Sequence, residues 1–165
     1  MIVNSRRILV AALLVGALSL SGCSMLSDFF DRAVRDDDGT ISESGDLDVF
    51  SLKVGDCFGG VATETETASV TAIPCDQPHV YEVFHDFELP AGDLPSATAV
   101  ETAVYDACDP AFEEFVGVDY EHSTLEYFYF SPTQEGWDSM DDRLVTCIIG
   151  TDGVEVTGSA AGSQS

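Results

Sequence analysis

Several side chains that could do chemistry lie close together in the stretch PCDQPHVYEVF, from Pro74 to Phe84. Cysteine, histidine and acidic side chains bind metal ions, and a cysteine thiolate beside a histidine is a nucleophile. With His85, the stretch reads His-x-x-Glu-x-x-His around Glu82, a set that would share one face only on a helix. The residues are instead β-branched and aromatic and are bracketed by two prolines, so we expect a strand.

A strand would separate these groups. His79 and His85 would lie about 20 Å apart along the strand, and Glu82 would point to the opposite face. We therefore predict no metal site and no cofactor here. His79 is better explained as a turn residue whose ring bonds the neighbouring backbone of Asp76 or Gln77.

Catalysis by other groups is equally unsupported, so we predict that the chain is not an enzyme. A Gly-x-Ser-x-Gly nucleophile motif is missing from the sequence. Glu113, Glu114 and Glu126 could imitate the carboxylate pair of a cell-wall hydrolase. In a chain with 30 acidic residues, however, some carboxylates fall near one another by chance.

The cysteines favour a cross-linked framework. Of five cysteines, Cys57, Cys75, Cys108 and Cys147 form an even set, as expected in an exported domain. Four cysteines allow about three pairings, and the sequence does not choose among them. We favour Cys57–Cys75, which flank a short Gly- and Thr-rich segment, and Cys108–Cys147, which would join a helix to a late strand. The spacing is unlike that of a zinc site, because it contains no Cys-x-x-Cys pair.

The first 23 residues indicate a destination outside the cytoplasm. Arg6 and Arg7 precede an apolar run at 8–20, which as a helix of about 20 Å is too short to span a membrane. We predict a signal peptide at 1–22. The last three residues of this peptide and the next residue, Leu20-Ser21-Gly22-Cys23, resemble the lipobox of bacterial lipoproteins. This resemblance implies a diacylglycerol with chains such as palmitate on Cys23, anchoring the protein to the extracytoplasmic face of the cell membrane.

The charge limits the classes of partner. The net charge is −24 at pH 7, and all acidic residues follow residue 22. Such a surface repels the phosphates of nucleic acid, so we exclude nucleic-acid binding. Basic proteins and divalent cations are the partners that this charge favours.

The remaining pattern predicts one domain. We expect an acidic tether at 23–48, the domain at 49–157 and a disordered tail at 158–165. A helical section should start at the cap Ser96, break at Pro110 into two helices and end at Gly117. The expected strands are at 49–54, 68–73, 80–89, 123–132 and 143–150, with a further one at 154–156. The fold class is therefore α+β: a small antiparallel sheet of about five strands with one or two helices on one face and two disulfides.

Four motifs occur in order along this domain: VGDCF (54–58), PCDQPHVYEVF (74–84), ACDPAFEEFVG (107–117) and SPTQEGWDSMDDRLVTC (131–147). Together they resemble the septum-formation domain of actinobacterial envelope lipoproteins, over about 49–150. The resemblance implies an envelope protein linked to septum formation. Asp141 departs from the family pattern, which we expect to have glycine before the acid-arginine pair.

The leading functional hypothesis is a lipid-anchored, non-enzymatic module that binds an envelope protein partner. The candidate contact residues are His79, Glu82, Trp137 and Arg143. We expect Trp137 to form a lid on the core and Arg143 to pair with Asp142 or Asp56. The alternatives are an extracytoplasmic solute- or Ca²⁺-binding lipoprotein and, third, a cell-wall hydrolase.

Overall fold

The computed structural model describes residues 32–60, 69–151 and 153–165. The predicted signal peptide, Cys23 and the start of the predicted tether lie outside these ranges. Among the helices of the described ranges, none combines the length and the apolar character needed to cross a membrane.

The centre of the fold is a six-stranded antiparallel sheet in the order β3-β5-β4-β6-β8-β7. Its strands are β3 (Gly45–Asp48), β4 (Cys57–Phe58), β5 (Ser69–Ile73), β6 (Tyr81–Glu88), β7 (Glu126–Phe130) and β8 (Leu144–Gly150). Two α-helices accompany the sheet, α1 (Ala97–Val116) and α2 (Gln134–Ser139). The predicted α+β class with an antiparallel sheet is confirmed, with six strands in place of about five.

Helix α1 covers one face of the sheet and supplies most of the main core. Its buried residues recur every fourth position, namely Val100, Val104, Cys108, Phe112 and Val116. As predicted, the hydroxyl of Ser96 caps the first turn and Gly117 ends the helix at a φ of 90°. A smaller core on the opposite face contains Leu52, Phe58, Val70, Val83 and Ile148.

Pro110 does not break α1 into two helices, contrary to the prediction. Proline removes the hydrogen bond to the carbonyl four residues earlier, that of Asp106. Both Pro110 and Asp106 are exposed, so water can bind the freed carbonyl. The buried side chains before and after Pro110 hold the helix on the sheet.

A β-bulge in β6 changes which side chains share a face. The ladder to β8 pairs Val83 with Ile148 but His85 with Cys147, which leaves Phe84 as an extra residue. Residues opposite each other in an antiparallel ladder share a face, so His85 lies on the helix-covered side with Cys147. Glu82 lies on the same side, opposite Ile149, so the expectation that His85 and Glu82 point to opposite faces is wrong.

Part of the predicted tether belongs to the folded domain. Residues of 32–48 form β1 (Val34–Arg35), β2 (Ile41–Glu43) and β3, and β1 pairs with β2 in a separate small sheet. Both terminal nitrogens of Arg35 donate to the carboxylate of Asp56, each at 2.6 Å. The segment predicted as a strand at 49–54 contains instead a 3₁₀ turn, Val49–Ser51.

Both favoured disulfides are present. Cys57 is bonded to Cys75, and Cys108 is bonded to Cys147. The first ties β4 to the turn that follows β5, and the second ties α1 to β8. The predicted pairing is thereby confirmed.

The C-terminal residues 158–165, predicted to be disordered, hydrogen-bond to the domain at several points. Gly158 N donates to Cys75 O, and Gln164 N donates to Val116 O. The expected strand at 154–156 is reduced to a single bridge between Val156 and His79. Because these bonds use backbone atoms, the composition of the segment gave no sign of them.

Candidate functional site

Glu82 is a buried carboxylate on β6, with a relative exposure of 3%. Its Oε1 accepts a hydrogen bond from Ser159 Oγ at 2.6 Å, and its Oε2 accepts one from Ala160 N at 2.7 Å. Burial raises the pKa of Glu82 above its ordinary value, while the bonds from Ser159 and Ala160 act in the opposite direction. Glu82 thus fixes the C-terminal segment to the sheet.

His79 is buried next to this carboxylate. Its Nδ1 lies 2.8 Å from the carbonyl oxygen of Gln77, and because a carbonyl only accepts, Nδ1 carries the proton. The expected bond from the His79 ring to the neighbouring backbone is confirmed. Its backbone also exchanges two hydrogen bonds with Val156. His79 therefore joins the Cys75-to-Val80 loop to the C-terminal part of the chain.

His79, Glu82 and Cys57 bring one ligand atom each to within 4.8 Å of one another. The expectation that Glu82 points away from His79 is wrong, because β6 begins only at Tyr81 and its alternation does not reach His79. Two of the three side chains in this cluster are nonetheless already engaged. Cys57 Sγ is in a disulfide, and both oxygens of Glu82 accept hydrogen bonds. The cluster is explained as a structural junction.

Trp137 closes the core at the end of the sheet. It lies on α2 with a relative exposure of 4%, and its Nε1 donates to the carbonyl of Gly92 at 2.9 Å. The expectation of a lid on the core is confirmed. Helix α2 itself is missing from the sequence prediction, although the Thr133 hydroxyl that caps it is a standard signal.

Arg143 lies over the ring of Trp137, and its partners differ from those expected. It forms an ion pair with Asp141 at 2.9 Å and donates to the carbonyls of Trp137 and Asp142. The expectation of a pair with the carboxylate of Asp142 or Asp56 is wrong. Asp56 is engaged by Arg35, and the Asp142 carboxylate accepts from the Leu144 N–H.

The four candidate contact residues offer little free surface. His79, Glu82 and Trp137 are buried, and the side chain of Arg143 is 18% exposed. Their contacts stabilise loops and the C-terminal segment. A groove lies elsewhere on the domain, between α1 and β7.

The groove between α1 and β7 has a volume of about 370 Å³. We call it the tyrosine groove. Its walls carry four tyrosines together with Glu101 and Phe128; the tyrosines are Tyr105, Tyr120, Tyr127 and Tyr129. Tyr105 is 61% exposed at its mouth.

Carboxylates border this groove. The hydroxyl of Tyr120 donates to Glu126 at 2.7 Å, and that of Tyr127 donates to Asp109 at 2.5 Å. The bond to Glu126 raises the pKa of Tyr120 to about 12. Burial, with the bond to Asp109, also raises the pKa of Tyr127. Tyr120 and Tyr127 therefore stay neutral at neutral pH. The acidic side chains at the groove are Glu101, Glu126 and Asp109.

The sequence alone did not reveal the groove. The aromatic run EYFYF marks β7, whose side chains alternate between two faces, so that Tyr127 packs against the core under α1 and Phe130 packs against the opposite core. The order of strands, however, is what puts β7 at the edge of the sheet beside Tyr105. That order depends on contacts between distant residues.

The fold and its cross-links define a small α+β domain held by two disulfides. A family model described as septum formation matches residues 31–147, a range that includes both disulfides. The chain therefore belongs to the septum formation family. Comparisons with curated proteins and with solved structures gave no match.

Proposed function

We propose that this chain is a lipid-anchored extracytoplasmic envelope protein that takes part in septum formation by binding another protein, without catalysis. The observation that carries the proposal is the family match over residues 31–147. The match starts at residue 31, ahead of the predicted domain start at 49, and ends at residue 147, before the predicted end at 157. The Arg35–Asp56 ion pair independently supports counting the segment before residue 49 as part of the domain.

Two further features support the proposed location outside the cytoplasm, at the membrane. Disulfides persist in oxidising compartments, and both pairs here join separate elements of the domain. The sequence Leu-Ser-Gly-Cys ending at Cys23 supports lipid attachment. The lipid would hold the domain close to the membrane, where envelope partners assemble.

The non-catalytic part of the proposal is supported by the roles of the polar side chains. Glu82 and His79 hold the C-terminal segment, and Glu126 accepts from Tyr120. Glu113 and Glu114 are exposed on α1. Glu82, His79 and Glu126 therefore have structural roles that need no reaction.

The test follows a fluorescent fusion in the cells that encode this chain. The tag is one that folds outside the cytoplasm, joined by a flexible linker after Ser165. We expect enrichment at division septa and incorporation of a palmitate analogue. The control Cys23→Ala should lose the label and leave the membrane fraction. Uniform distribution of the wild-type fusion, or labelling that persists in Cys23→Ala, would contradict the proposal.

A further inference from the structure

Strand β7 has one edge without a neighbouring strand in the described part of the chain. Within that part, the hydrogen bonds of its backbone go to β8 alone. The opposite edge of the sheet is different, because Arg32 bridges to Asp46 of β3 and Ala33 N donates to Asp46 O. Counting only residues that the structure describes, the sheet therefore presents a row of unpaired backbone donors and acceptors along β7.

Proteins normally protect such an edge with lysine, proline, a bulge or a covering loop. The five residues of β7, Glu-Tyr-Phe-Tyr-Phe, contain neither lysine nor proline, and their register with β8 is regular. Phe128 is 41% exposed and Tyr129 is 37% exposed. A regular, aromatic edge strand without a bulge is a template onto which an extended peptide can add as a further strand, and its one charged residue, Glu126, favours a basic peptide.

The tyrosine groove lies on the helix side of this edge and suits a cation. Ring faces of tyrosine attract ammonium and guanidinium groups, and Tyr105 exposes much of its ring. Glu101 lies in the wall, and Glu126 and Asp109 bind the tyrosine hydroxyls at the border. An apolar groove bordered by carboxylates is complementary to a lysine or arginine side chain.

Charge also distinguishes two candidate occupants of the β7 edge, namely a second copy of this chain and a basic segment of another protein. A second copy of this chain would bring another net charge of −24, together with its own Glu126, against the first. Like charges at this density disfavour such a pair, whereas a basic segment is attracted.

We propose that β7 and the tyrosine groove bind an extended basic segment of a partner protein. The segment adds as an antiparallel or parallel strand on the free edge of β7, and one of its lysine or arginine side chains enters the groove. The inference rests on the proposed function, because it specifies the contact by which the module would bind its envelope partner.

The first test uses the purified full chain in non-ionic detergent and the labelled hexapeptide Lys-Val-Lys-Val-Lys-Val. Strand alternation puts its three lysines on one face and its valines on the other. We expect a rise in fluorescence anisotropy that weakens with added salt, and slower hydrogen exchange at residues 126–130. A peptide with glutamate in place of lysine should not bind. Methylation of alternate backbone nitrogens in the lysine peptide should reduce binding by about tenfold or more, because it removes strand pairing.

Variants locate the site. Tyr105→Ala should weaken binding of the lysine peptide by about fivefold, the effect of losing one ring face for a cation. The matched control is Met140→Ala, since Met140 is 60% exposed outside the groove, and it should bind like the wild type. Both residues are exposed, so neither change should alter folding, which circular dichroism checks.

Each of the following results would overturn the inference: binding without slower exchange in β7, equal binding of the glutamate peptide, or equal losses in the two variants. Protection of residues 126–130 that grows with protein concentration, without peptide, would show that a second copy occupies the edge and would also overturn it. In cells, a wild-type fusion that is not septal contradicts the proposed function. A septal wild type with an equally septal Tyr105→Ala contradicts only the docking at β7.

Discussion

The guanidinium carbon of Arg143 lies 3.7 Å from the centroid of the Trp137 ring. Arg143 also donates to the Trp137 carbonyl at 3.0 Å, so one side chain both covers the ring and binds the backbone of α2. Trp137 in turn bonds the loop after β6 through Gly92. The pair therefore fixes α2 at the end of the sheet where β8 begins.

Replacing this arginine with lysine tests the stacking. Arg143→Lys keeps the charge but loses the planar group and its fork of donors, and should lower the free energy of unfolding by about 1–2 kcal/mol. Urea unfolding followed by circular dichroism measures this. The same substitution at the exposed Arg32 is the control and should change stability little. Equal stability of the wild type and Arg143→Lys would argue against a stabilising stack.

The ion pair between Arg35 and Asp56 should be costly to break. The side chain of Asp56 is 4% exposed, so Arg35→Ala leaves an uncompensated carboxylate and should destabilise the domain by about 3 kcal/mol. The double variant Arg35→Ala/Asp56→Ala should recover part of this loss, because it removes the stranded charge. A double variant less stable than Arg35→Ala would contradict the explanation.

The two disulfides should contribute unequally. Chain-entropy arguments give about 3 kcal/mol for the loop of 18 residues closed by Cys57–Cys75 and about 4 kcal/mol for the 39 residues closed by Cys108–Cys147. Paired Cys→Ala variants, unfolded in guanidinium, measure each loss. If removal of Cys108–Cys147 leaves stability unchanged, the helix is held on the sheet by packing alone.

Asp141 occupies a backbone conformation that favours glycine, with a φ of 55°. Asp141→Gly should stabilise the protein by about 0.5–1 kcal/mol, since the ion pair that it loses involves an aspartate side chain that is 92% exposed. Asp141→Ala loses the same ion pair but keeps a Cβ, so it should be about 1 kcal/mol less stable than Asp141→Gly. The difference between these variants in thermal unfolding isolates the backbone effect. Equal melting temperatures would show that the turn is unstrained.

Glu82 should make stability depend on pH. Burial raises the pKa of Glu82 in the folded protein above the ordinary 4.5, so folding favours the protonated carboxyl group. The stability that this protonated group contributes is fully present below the pKa of the unfolded chain and is lost as the pH rises through the pKa of the folded protein. Glu82→Gln keeps the shape without the charge. We therefore expect its stability relative to the wild type to increase between about pH 4 and neutrality, measured as urea midpoints. A constant difference across this range would mean that Glu82 does not titrate abnormally.

Local patterns in the sequence predicted the class of fold well, and long-range contacts account for what they missed. The alternation in Glu126–Phe130 and the caps Ser96 and Gly117 act within a few residues, so they can be recognised directly. The bulge at Phe84 depends on the partner strand β8 and changes the face of His85.

The site was harder to predict for the same reason. Arg35 meets Asp56 across 21 positions, and Ser159 meets Glu82 across 77. Neither pair has a local sequence signal. The ordered set of motifs supplied what the spacing of single residues could not, namely the resemblance to a family, which the match over 31–147 shows. The resemblance indicated Gly at position 141, which agrees with the positive φ found there.

The Cys108–Cys147 disulfide also affects the tyrosine groove, although neither cysteine lines it. It links α1 covalently to β8, and β7 pairs with β8 at the edge of the sheet. The disulfide therefore restrains α1 and β7, the two walls of the tyrosine groove, relative to each other. We therefore expect the tyrosine groove to have the same width with and without the proposed peptide. For the proposed docking, a preorganised groove means a smaller loss of conformational entropy on binding, so we expect reduction of this disulfide to weaken peptide binding although neither cysteine lines the groove.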